Sequence, residues 1–378
     1  MAPFQIGEVI EVEILSLSYG GGRGVARFRD FVIFIPFTAP GDRARVEILK
    51  IAKSFAEGKL LDLIEKSPHR VSPPCPVYGK CGGCCFQHVS AEEQLRQKNA
   101  YIQRSLSKLS VGQLDSIVPS PRDFHYRNRI QVHVRGKQLG FVRPRTNDLV
   151  PITQCKIAEE SIDQALSEEA SRSQIFGLSE KKVEVALSRE GSLQIFPVST
   201  VGSERHFAQV NRFQNENLVN LVKEWAQAQE LPKEVWDLYA GSGNLSFPLA
   251  EGLSAQVTAV ELSRPLVKAA QSQRPLKNLN WICSDVADFV RQQKSLVRSN
   301  SLLVVTDPPR EGLRNSVIDD LCELRPSRWI HIGCDLMSFS RDLQKLSQRG
   351  FQIDRVTPLD MFPQTDHVEM MALISYGA

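Results

Sequence analysis

From residue 211 onward, the chain alternates short apolar runs with amphipathic segments of helical length, and this alternation restricts the fold more than any other feature. Runs such as 235–239 and 302–306 have the length of buried strands, and the segments between the runs have the length of helices. Such an order is typical of a doubly wound, mainly parallel sheet. We therefore predict a Rossmann-like α/β domain over residues 211–378.

The N-terminal residues 1–66 follow a different pattern, in which polar and apolar side chains alternate and glycine-rich turns intervene. Four strands are predicted here, over residues 8–14, 25–29, 31–36 and 43–49. Short strands with glycine-rich corners indicate a small closed barrel of the OB type. Barrels of this type often bind single-stranded nucleic acid, although the fold alone does not establish that function.

A Pro-rich linker at residues 67–74 separates the barrel from a central, β-rich domain that we predict over residues 67–210. A helix is predicted over residues 91–109, within that domain. Residues 66–156 carry 15 Lys and Arg against 5 Asp and Glu, whereas the whole chain has a net charge of only +3. This excess indicates a face that binds a polyanion, and an ordinary solvated surface is the alternative.

The sequence shows no basic segment followed by an apolar stretch at its start, and its apolar runs are too short to cross a bilayer. We therefore expect a cytoplasmic protein that does not bind membranes. Eight cysteines in 378 residues are too few for a disulfide scaffold. In a reducing compartment, cysteines point to metal binding or catalysis.

A glycine-rich turn at Gly241-Ser242-Gly243-Asn244 directly follows the first predicted strand of the α/β domain. Glycines at this place let the backbone approach a bound nucleotide closely. The next three predicted strands end at or near acidic residues, which are Glu261, Asp285 and Asp307. The turn and Glu261 suit either NAD or S-adenosylmethionine. The missing third glycine of the dinucleotide pattern and the rigid Asp307-Pro308-Pro309-Arg310 sequence favour S-adenosylmethionine, as in class I methyltransferases.

Cys334 ends the fifth predicted strand of this domain, and Glu369 follows a polar turn about thirty residues later. A thiolate and a base suit methylation at carbon 5 of a pyrimidine, which must first be made nucleophilic by addition of the thiolate to carbon 6. The base then removes the proton from carbon 5. Cys283 and Cys322 lie in apolar contexts, which are typical of buried structural cysteines.

A second group of cysteines precedes the α/β domain and comprises Cys75, Cys81, Cys84 and Cys155. Four soft ligands suit an iron–sulfur cluster or a tetrahedral zinc ion. The single Cys-x2-Cys pair favours a [4Fe-4S] cluster, because zinc sites usually have two such pairs. Cys85 is a fifth cysteine beside this group.

These residues resemble the RNA uracil-5-methyltransferase family, in the bacterial 23S rRNA branch that carries an N-terminal TRAM barrel and an iron–sulfur cluster. The resemblance covers essentially the whole chain. Its most specific segment is Asp360-Met361-Phe362-Pro363-Gln364-Thr365, and Cys81-Gly82-Gly83-Cys84 also matches the family signature. The resemblance implies that the four cysteines hold the cluster, that Cys334 is the nucleophile and that Glu369 accepts the proton.

The resemblance also places S-adenosylmethionine contacts at Gln209, Tyr239 and Asn244, in addition to Gly241, Glu261, Asp285 and Asp307. It implies an enzyme of EC class 2.1.1 that methylates one uridine of 23S rRNA, after the base has flipped out of its stack. We expect a monomer, and the sequence does not identify protein partners. Candidate RNA contacts are Arg127, Arg129, Arg135, Arg143, Arg145 and Arg310, with His125, Tyr126 and Phe141 as candidate stacking partners.

Two alternatives stay open at this point. The first is a methyltransferase for the T-loop uridine of tRNA, although such enzymes usually lack both the barrel and the cysteine group. The second is a non-catalytic RNA-binding or RNA-folding factor that uses the barrel and the cluster as a platform. The intact pair of Cys334 and Glu369 argues against the second alternative.

Overall fold

The computed structural model describes residues 2–188, 190–198, 209–228, 230–294 and 301–376. These residues divide into two units. The first unit draws its residues from Met1–Tyr101, Arg122–Val198 and Phe362–His367, and the second from Ile102–Pro121, Ser199–Met361 and Val368–Ala378. The domain boundaries predicted at residues 66 and 210 divide the chain differently, and they stay a prediction.

Five strands of the first unit form a closed barrel, and they are β1 (Val9–Leu17), β2 (Gly24–Phe28), β3 (Phe31–Ile35), β4 (Arg43–Ile51) and β5 (Phe55–Glu65). Around the barrel their order is β1-β2-β3-β5-β4. Alternate residues at the start of β1, namely Ile10, Val12 and Ile14, are buried in the barrel core. This alternation is the pattern seen in the sequence, and the predicted N-terminal barrel is confirmed.

The sequence pattern predicted four strands in the barrel and did not predict β5. Its buried positions alternate only over its first residues, from Phe55 to Gly58. Against β4, its register shifts at three places. Because such irregularities break the period of two, periodicity in the sequence is a poor guide to this strand.

Helix α1 (Ala91–Leu106) follows the barrel in the chain and is close to the helix predicted over residues 91–109. The next element, β6 (Val111–Leu114), belongs to the second unit. A second sheet of the first unit is antiparallel and comprises β7 (Arg129–Arg135), β8 (Gln138–Val142), β9 (Leu149–Pro151), β10 (Lys182–Leu187) and β11 (Leu193–Pro197). Its strand order is β11-β10-β7-β8-β9. Two short helices, α2 (Glu160–Ala165) and α3 (Glu169–Gly177), separate β9 from β10 in the chain.

The second unit is built on an eight-stranded sheet that includes β6. Its other strands are β12 (Glu234–Leu238), β13 (Gln256–Glu261), β14 (Leu279–Cys283), β15 (Leu302–Thr306), β16 (Arg328–Gly333), β17 (Phe351–Leu359) and β18 (Glu369–Tyr376). Its helices are α4 (Arg212–Gln227), α5 (Ser246–Gly252), α6 (Arg264–Gln273), α7 (Val286–Gln293), α8 (Asn315–Leu324) and α9 (Leu336–Gln348). The strand order is β14-β13-β12-β15-β16-β18-β17-β6.

The strands β12 to β16 are parallel to one another, and β15 and β16 are buried at every position. Fully buried parallel strands explain why their sequences are continuous apolar runs. The predicted Rossmann-like domain is therefore confirmed. The antiparallel β18 lies between β16 and β17, so the last strand in the chain is an inner strand of the sheet.

Among the described residues, helices that combine the length and the apolar character needed to cross a bilayer are absent. The predicted cytoplasmic location stays a prediction.

Candidate active site

The turn after β12 lies at the carboxyl edge of the parallel strands, where open α/β sheets bind their ligands. Tyr239 has a φ angle of 66°, which is unusual for an aromatic residue, and Gly241 and Gly243 have φ angles of 56° and 86°. A Cβ atom at Gly243 would lie 2.6 Å from the Phe247 ring, so this turn needs glycine for space as well as for its backbone angle.

Hydrogen bonds connect the predicted cofactor residues to the backbone and to one another. Glu261 accepts hydrogen bonds from the backbone N–H groups of Gly241, at 3.0 Å, and Ser263, at 2.8 Å. The amide side chain of Asn244 makes a reciprocal pair with Asn215, at 2.8 and 2.9 Å. These bonds fix both side chains beside the glycine turn.

Arg314 connects two further residues of the predicted cofactor site. Its guanidinium donates to Asp285 Oδ1 at 2.5 Å and also interacts with the Tyr239 side chain. Asp285 caps helix α7 by accepting from Ala287 N, at 2.8 Å. The hydrogen bonds and the positive charge of Arg314, with the cap, outweigh the effect of burial and lower the pKa of Asp285. Asp285 is therefore an ionised hydrogen-bond acceptor at neutral pH.

Acidic side chains are concentrated at this edge. Asp237 is buried in β12, and the Ser246 hydroxyl donates to it. Burial raises the pKa of Asp237 to about 7, and the charges of Asp307 and Glu261 add to this shift. Burial also raises the pKa of Asp307 to about 6. A group of carboxylates that repel one another is stabilised by a bound cation.

Cys334 directly follows β16, Glu369 begins the neighbouring strand β18, and the charge of Glu369 acts on the Cys334 thiol. Gly333 of β16 pairs with Met370 of β18, and the strands are antiparallel. The sequence predicted both residues, and the structure brings them together.

The two side chains of this pair influence each other's protonation. Burial, followed by the charges of Glu369 and Asp307, raises the pKa of Cys334 to about 12, and the charge of Arg310 opposes the shift. Burial also raises the pKa of Glu369 well above its ordinary value, with Asp307 adding to the shift and Arg310 opposing it. Glu369 is buried, and its Oε1 atom has no hydrogen-bond partner among the described residues. An unpartnered carboxylate oxygen beside a thiol is costly for a fold and is typical of a functional site.

The segment Phe362–His367, which precedes Glu369 in the chain, belongs to the first unit, where α1 binds it. The buried ammonium of Lys98 donates to the carbonyl oxygens of Phe362 and His367, both at 3.1 Å. Tyr101 donates to the carbonyl of Asp366 at 2.6 Å. The Asp366 carboxylate in turn accepts from the backbone N–H groups of Gly20 and Gly21 in the barrel. The match of this segment to the family motif therefore reflects a buried, fully bonded turn.

The four cysteines of the predicted cluster line one cavity of about 400 Å³ in the first unit. Burial raises the pKa of Cys84 to about 12 and that of Cys155 to about 11. Within the part of the chain that the structure describes, no three or more His, Cys, Asp or Glu side chains form a group that could hold a metal ion. The thiols as they stand therefore make no ready site for a single ion such as zinc, which needs sulfur atoms about 2.3 Å from the metal.

The other residues that line this cavity suit an anionic group. Arg127 and Arg129 both face it, and the buried Nε atom of Arg127 has no hydrogen-bond partner among the described residues. Four thiolates around iron carry negative charge, which these arginines would offset. Four thiols and two arginines therefore line the same cavity.

Comparisons with known proteins agree with this geometry. Residues 201–376 match the family described as tRNA (Uracil-5-)-methyltransferase, and residues 3–61 match the TRAM domain. An uncharacterized RNA methyltransferase of Bdellovibrio bacteriovorus is 36% identical over 380 residues, which cover 97% of this chain and 95% of that protein. The chain belongs to the RNA uracil-5-methyltransferase family.

Two further relatives of this RNA methyltransferase have named substrates. The 23S rRNA (uracil(1939)-C(5))-methyltransferase RlmD of Marinomonas sp. is 27% identical, over 98% of this chain and 96% of that protein. The solved structure of the Pyrococcus abyssi tRNA (uracil-54, C5)-methyltransferase, in complex with S-adenosyl-L-homocysteine, has a TM-score of 0.75 at 21% identity. It covers 97% of this chain and 100% of its own, so a tRNA enzyme shares the fold throughout.

The predicted cofactor residues Tyr239, Gly241, Asn244, Glu261, Asp285 and Asp307 lie at the carboxyl edge of the sheet in the second unit. Gln209 is half-buried and lies at the start of the described residues that precede α4. Their individual roles stay predictions.

Of the predicted RNA contacts, one is buried and several are exposed. Tyr126 is fully buried and its hydroxyl donates to the carbonyl of Pro363 at 3.0 Å, so its prediction as a stacking partner is wrong. Arg143 and Arg310 are exposed. Arg145 is exposed and forms an ion pair with Glu57 at 3.4 Å.

The structure adds residues that the sequence reasoning missed. Asn215 and Arg314 bond to predicted cofactor residues, and the charges of Asp307 and Glu261 act on Asp237. A charged residue inside the apolar run of β12 was the available signal for Asp237. The interpretation of Cys283 as a buried cysteine is wrong, because its side chain is exposed at the end of β14. Nothing in the local sequence marks the partners of Arg314, which come from other strands and loops.

Proposed function

We propose that this enzyme methylates carbon 5 of one uridine in 23S rRNA, with Cys334 as the nucleophile and Glu369 as the proton acceptor. The observation that carries the proposal is the proximity of these two side chains, because Cys334 follows β16 at the point where β18 begins with Glu369 and the Glu369 charge acts on the thiol. The cofactor turn lies at the same edge of the sheet.

The reaction needs a thiolate at Cys334. This thiolate adds to carbon 6 of uracil, and the ring becomes an enolate whose carbon 5 is nucleophilic. S-adenosylmethionine supplies the methyl group as an electrophilic sulfonium and leaves as the neutral thioether. Glu369 then takes the proton from carbon 5, and the bond between carbon 6 and sulfur breaks to release the thiolate.

The raised pKa of Glu369 makes its carboxylate a stronger base than an exposed glutamate. Its unpartnered oxygen is free to take a substrate proton, because no hydrogen bond from the described residues must first break. The positive charge of Arg310 favours the ionised forms of both Cys334 and Glu369. The carboxylates Asp237 and Asp307 favour a sulfonium over a neutral ligand at this edge.

The choice of 23S rRNA is supported by the Marinomonas relative and by the cysteine group typical of that branch. The barrel does not separate this substrate from tRNA, since the tRNA enzyme of Pyrococcus abyssi has the same fold over 97% of this chain. Methylation of tRNA is therefore the second candidate, and the family description also names tRNA.

Cys75, Cys81, Cys84 and Cys155 would hold a [4Fe-4S] cluster in the cavity that they line. Methyl transfer from a sulfonium moves no net electrons to the protein, so the cluster would order the surrounding loops. Arg127 and Arg129 would then offset its charge, whereas Arg143, Arg145 and Arg310 would contact RNA phosphates.

Release of tritium from RNA labelled at carbon 5 of uridine tests the proposal. Unmodified 23S rRNA and tRNA are assayed in parallel with anaerobically purified protein and with Cys334→Ala. We expect release from 23S rRNA with the wild type and none with the variant. Release from tRNA alone would overturn the substrate, and release by Cys334→Ala would overturn the mechanism.

A further inference from the structure

Helix α9 holds the loop that follows β15. This loop, residues 307–314, begins with Asp307 and also carries Arg310. Three hydrogen bonds bind its backbone to the first two turns of α9. Two loop carbonyl groups accept from the helix: that of Arg310 from Ser338 Oγ at 2.8 Å, and that of Glu311 from Arg341 Nη2 at 2.6 Å. In the third bond, Leu313 N donates to Asp342 Oδ2 at 2.7 Å. The loop backbone is thus fixed to one helix at three nearly consecutive residues.

Asp342 is the centre of this attachment. Its side chain is fully buried, and its Oδ1 atom accepts from Arg341 Nε and Nη2 at 3.0 and 2.8 Å. Gly312 packs directly against it, with a φ angle of 76°, and a Cβ atom there would lie only 2.4 Å from Asp342 Oδ2. Because Asp342 is bonded on both oxygens, a side chain at position 312 would have to displace the loop.

The same helix begins immediately after the nucleophile. Asp335 caps α9 by accepting from the N–H groups of Met337 and Ser338, and Cys334 is the residue before the cap. The charge of Arg310 lowers the pKa of Cys334, and it also opposes the raised pKa of Glu369. Helix α9 therefore supports both the thiol and the loop whose cation favours the thiolate.

We propose that Asp342 and Gly312 are positioning residues, which lock the loop against α9 so that Arg310 favours the thiolate form of Cys334. This inference rests on the proposed function, in which Cys334 is the nucleophile. Its test needs no RNA, because the thiolate fraction of Cys334 sets the rate at which iodoacetamide alkylates it.

The experiment measures alkylation of the Cys334 peptide by mass spectrometry, on the folded full-length protein at one pH below the thiol pKa. The variants are Gly312→Ala, Asp342→Ala, Asp342→Asn and Arg310→Gln, with Gly312→Ala and Asp342→Ala also combined with Arg310→Gln. Asp319→Asn is the matched control, since Asp319 pairs with Arg349 at the far end of α9 and leaves the loop untouched. Thermal unfolding of each variant confirms that it is folded.

We expect Gly312→Ala and Asp342→Ala to slow alkylation at least threefold, Asp342→Asn to retain most of the rate and Asp319→Asn to change nothing. In the Arg310→Gln background, the loop variants should have little further effect, because the cation through which they act is gone. An unchanged alkylation rate in folded Gly312→Ala and Asp342→Ala would overturn the inference. The inference would also fail if these substitutions slowed alkylation equally in the wild-type and Arg310→Gln backgrounds. A wild type that releases no tritium from any RNA would count against the proposed function alone.

Discussion

Replacement of Glu369 by glutamine tests the removal of the proton from carbon 5, the step that we propose for this residue. The side chain keeps its shape but loses the ability to take a proton. Glu369 is buried, its Oε1 atom has no partner among the described residues, and burial raises its pKa. The variant therefore removes a charged form that the surrounding protein does not stabilise, and we expect the fold to persist.

The loss should appear in one chemical step. A positioned base contributes about 10²–10⁴ in rate, which corresponds to about 3–5 kcal/mol of activation free energy. Addition of Cys334 to carbon 6 and methyl transfer do not require this base. We therefore expect turnover to fall by about that factor, while a covalent complex between Cys334 and methylated RNA accumulates.

The assay follows methyl-labelled RNA on denaturing gels, together with tritium release from carbon 5. Glu369→Gln should give a labelled protein–RNA band that Cys334→Ala does not give. Ser375→Ala is the control on the same strand, because Ser375 bonds to Asp354 at the far end of β18. Turnover within threefold of the wild type, or slow turnover without the covalent band, would refute the assignment of Glu369.

Three other predictions follow from the described residues. Lys98→Met should lower the free energy of unfolding by about 2–6 kcal/mol, because two carbonyl groups would each lose their ammonium donor and each loss costs about 1–3 kcal/mol. A decrease of less than about 1 kcal/mol in urea titrations would contradict this prediction. Affinity for S-adenosylmethionine should rise several-fold from pH 5 to pH 8, because Asp307 and Asp237, with pKa values of about 6 and 7, ionise in that window and attract the sulfonium. Affinity for the neutral S-adenosylhomocysteine should change less in the same calorimetric titrations, and equal pH dependence would exclude this cause. Cys84→Ser should lower iron content and visible absorbance in anaerobically purified protein, and full retention of iron would argue against the proposed ligand set.

Much of the catalytic domain could be predicted from local pattern. Continuous apolar runs are dictated by burial on both faces of a parallel sheet, and β15, which is buried at every position, follows this rule. The glycine turn was recognisable because Gly241 and Gly243 adopt backbone angles that other residues disfavour. By contrast, β5 and β6 were missed, since β5 is irregular and β6 has only four residues.

The sequence by itself determined the barrel and the parallel strands, because each depends on neighbours close in the chain. It also predicted the cofactor turn, the thiol and the carboxylate, and these assignments stay predictions. Only the tertiary structure decided that Cys334 lies close to Glu369, since the last strand inserts between β16 and β17 and pairs residues more than thirty positions apart. The same holds for the attachment of residues 310–313 to α9 and for the burial of Tyr126. Such contacts depend on which distant backbone groups meet, and no local period in the sequence records that choice.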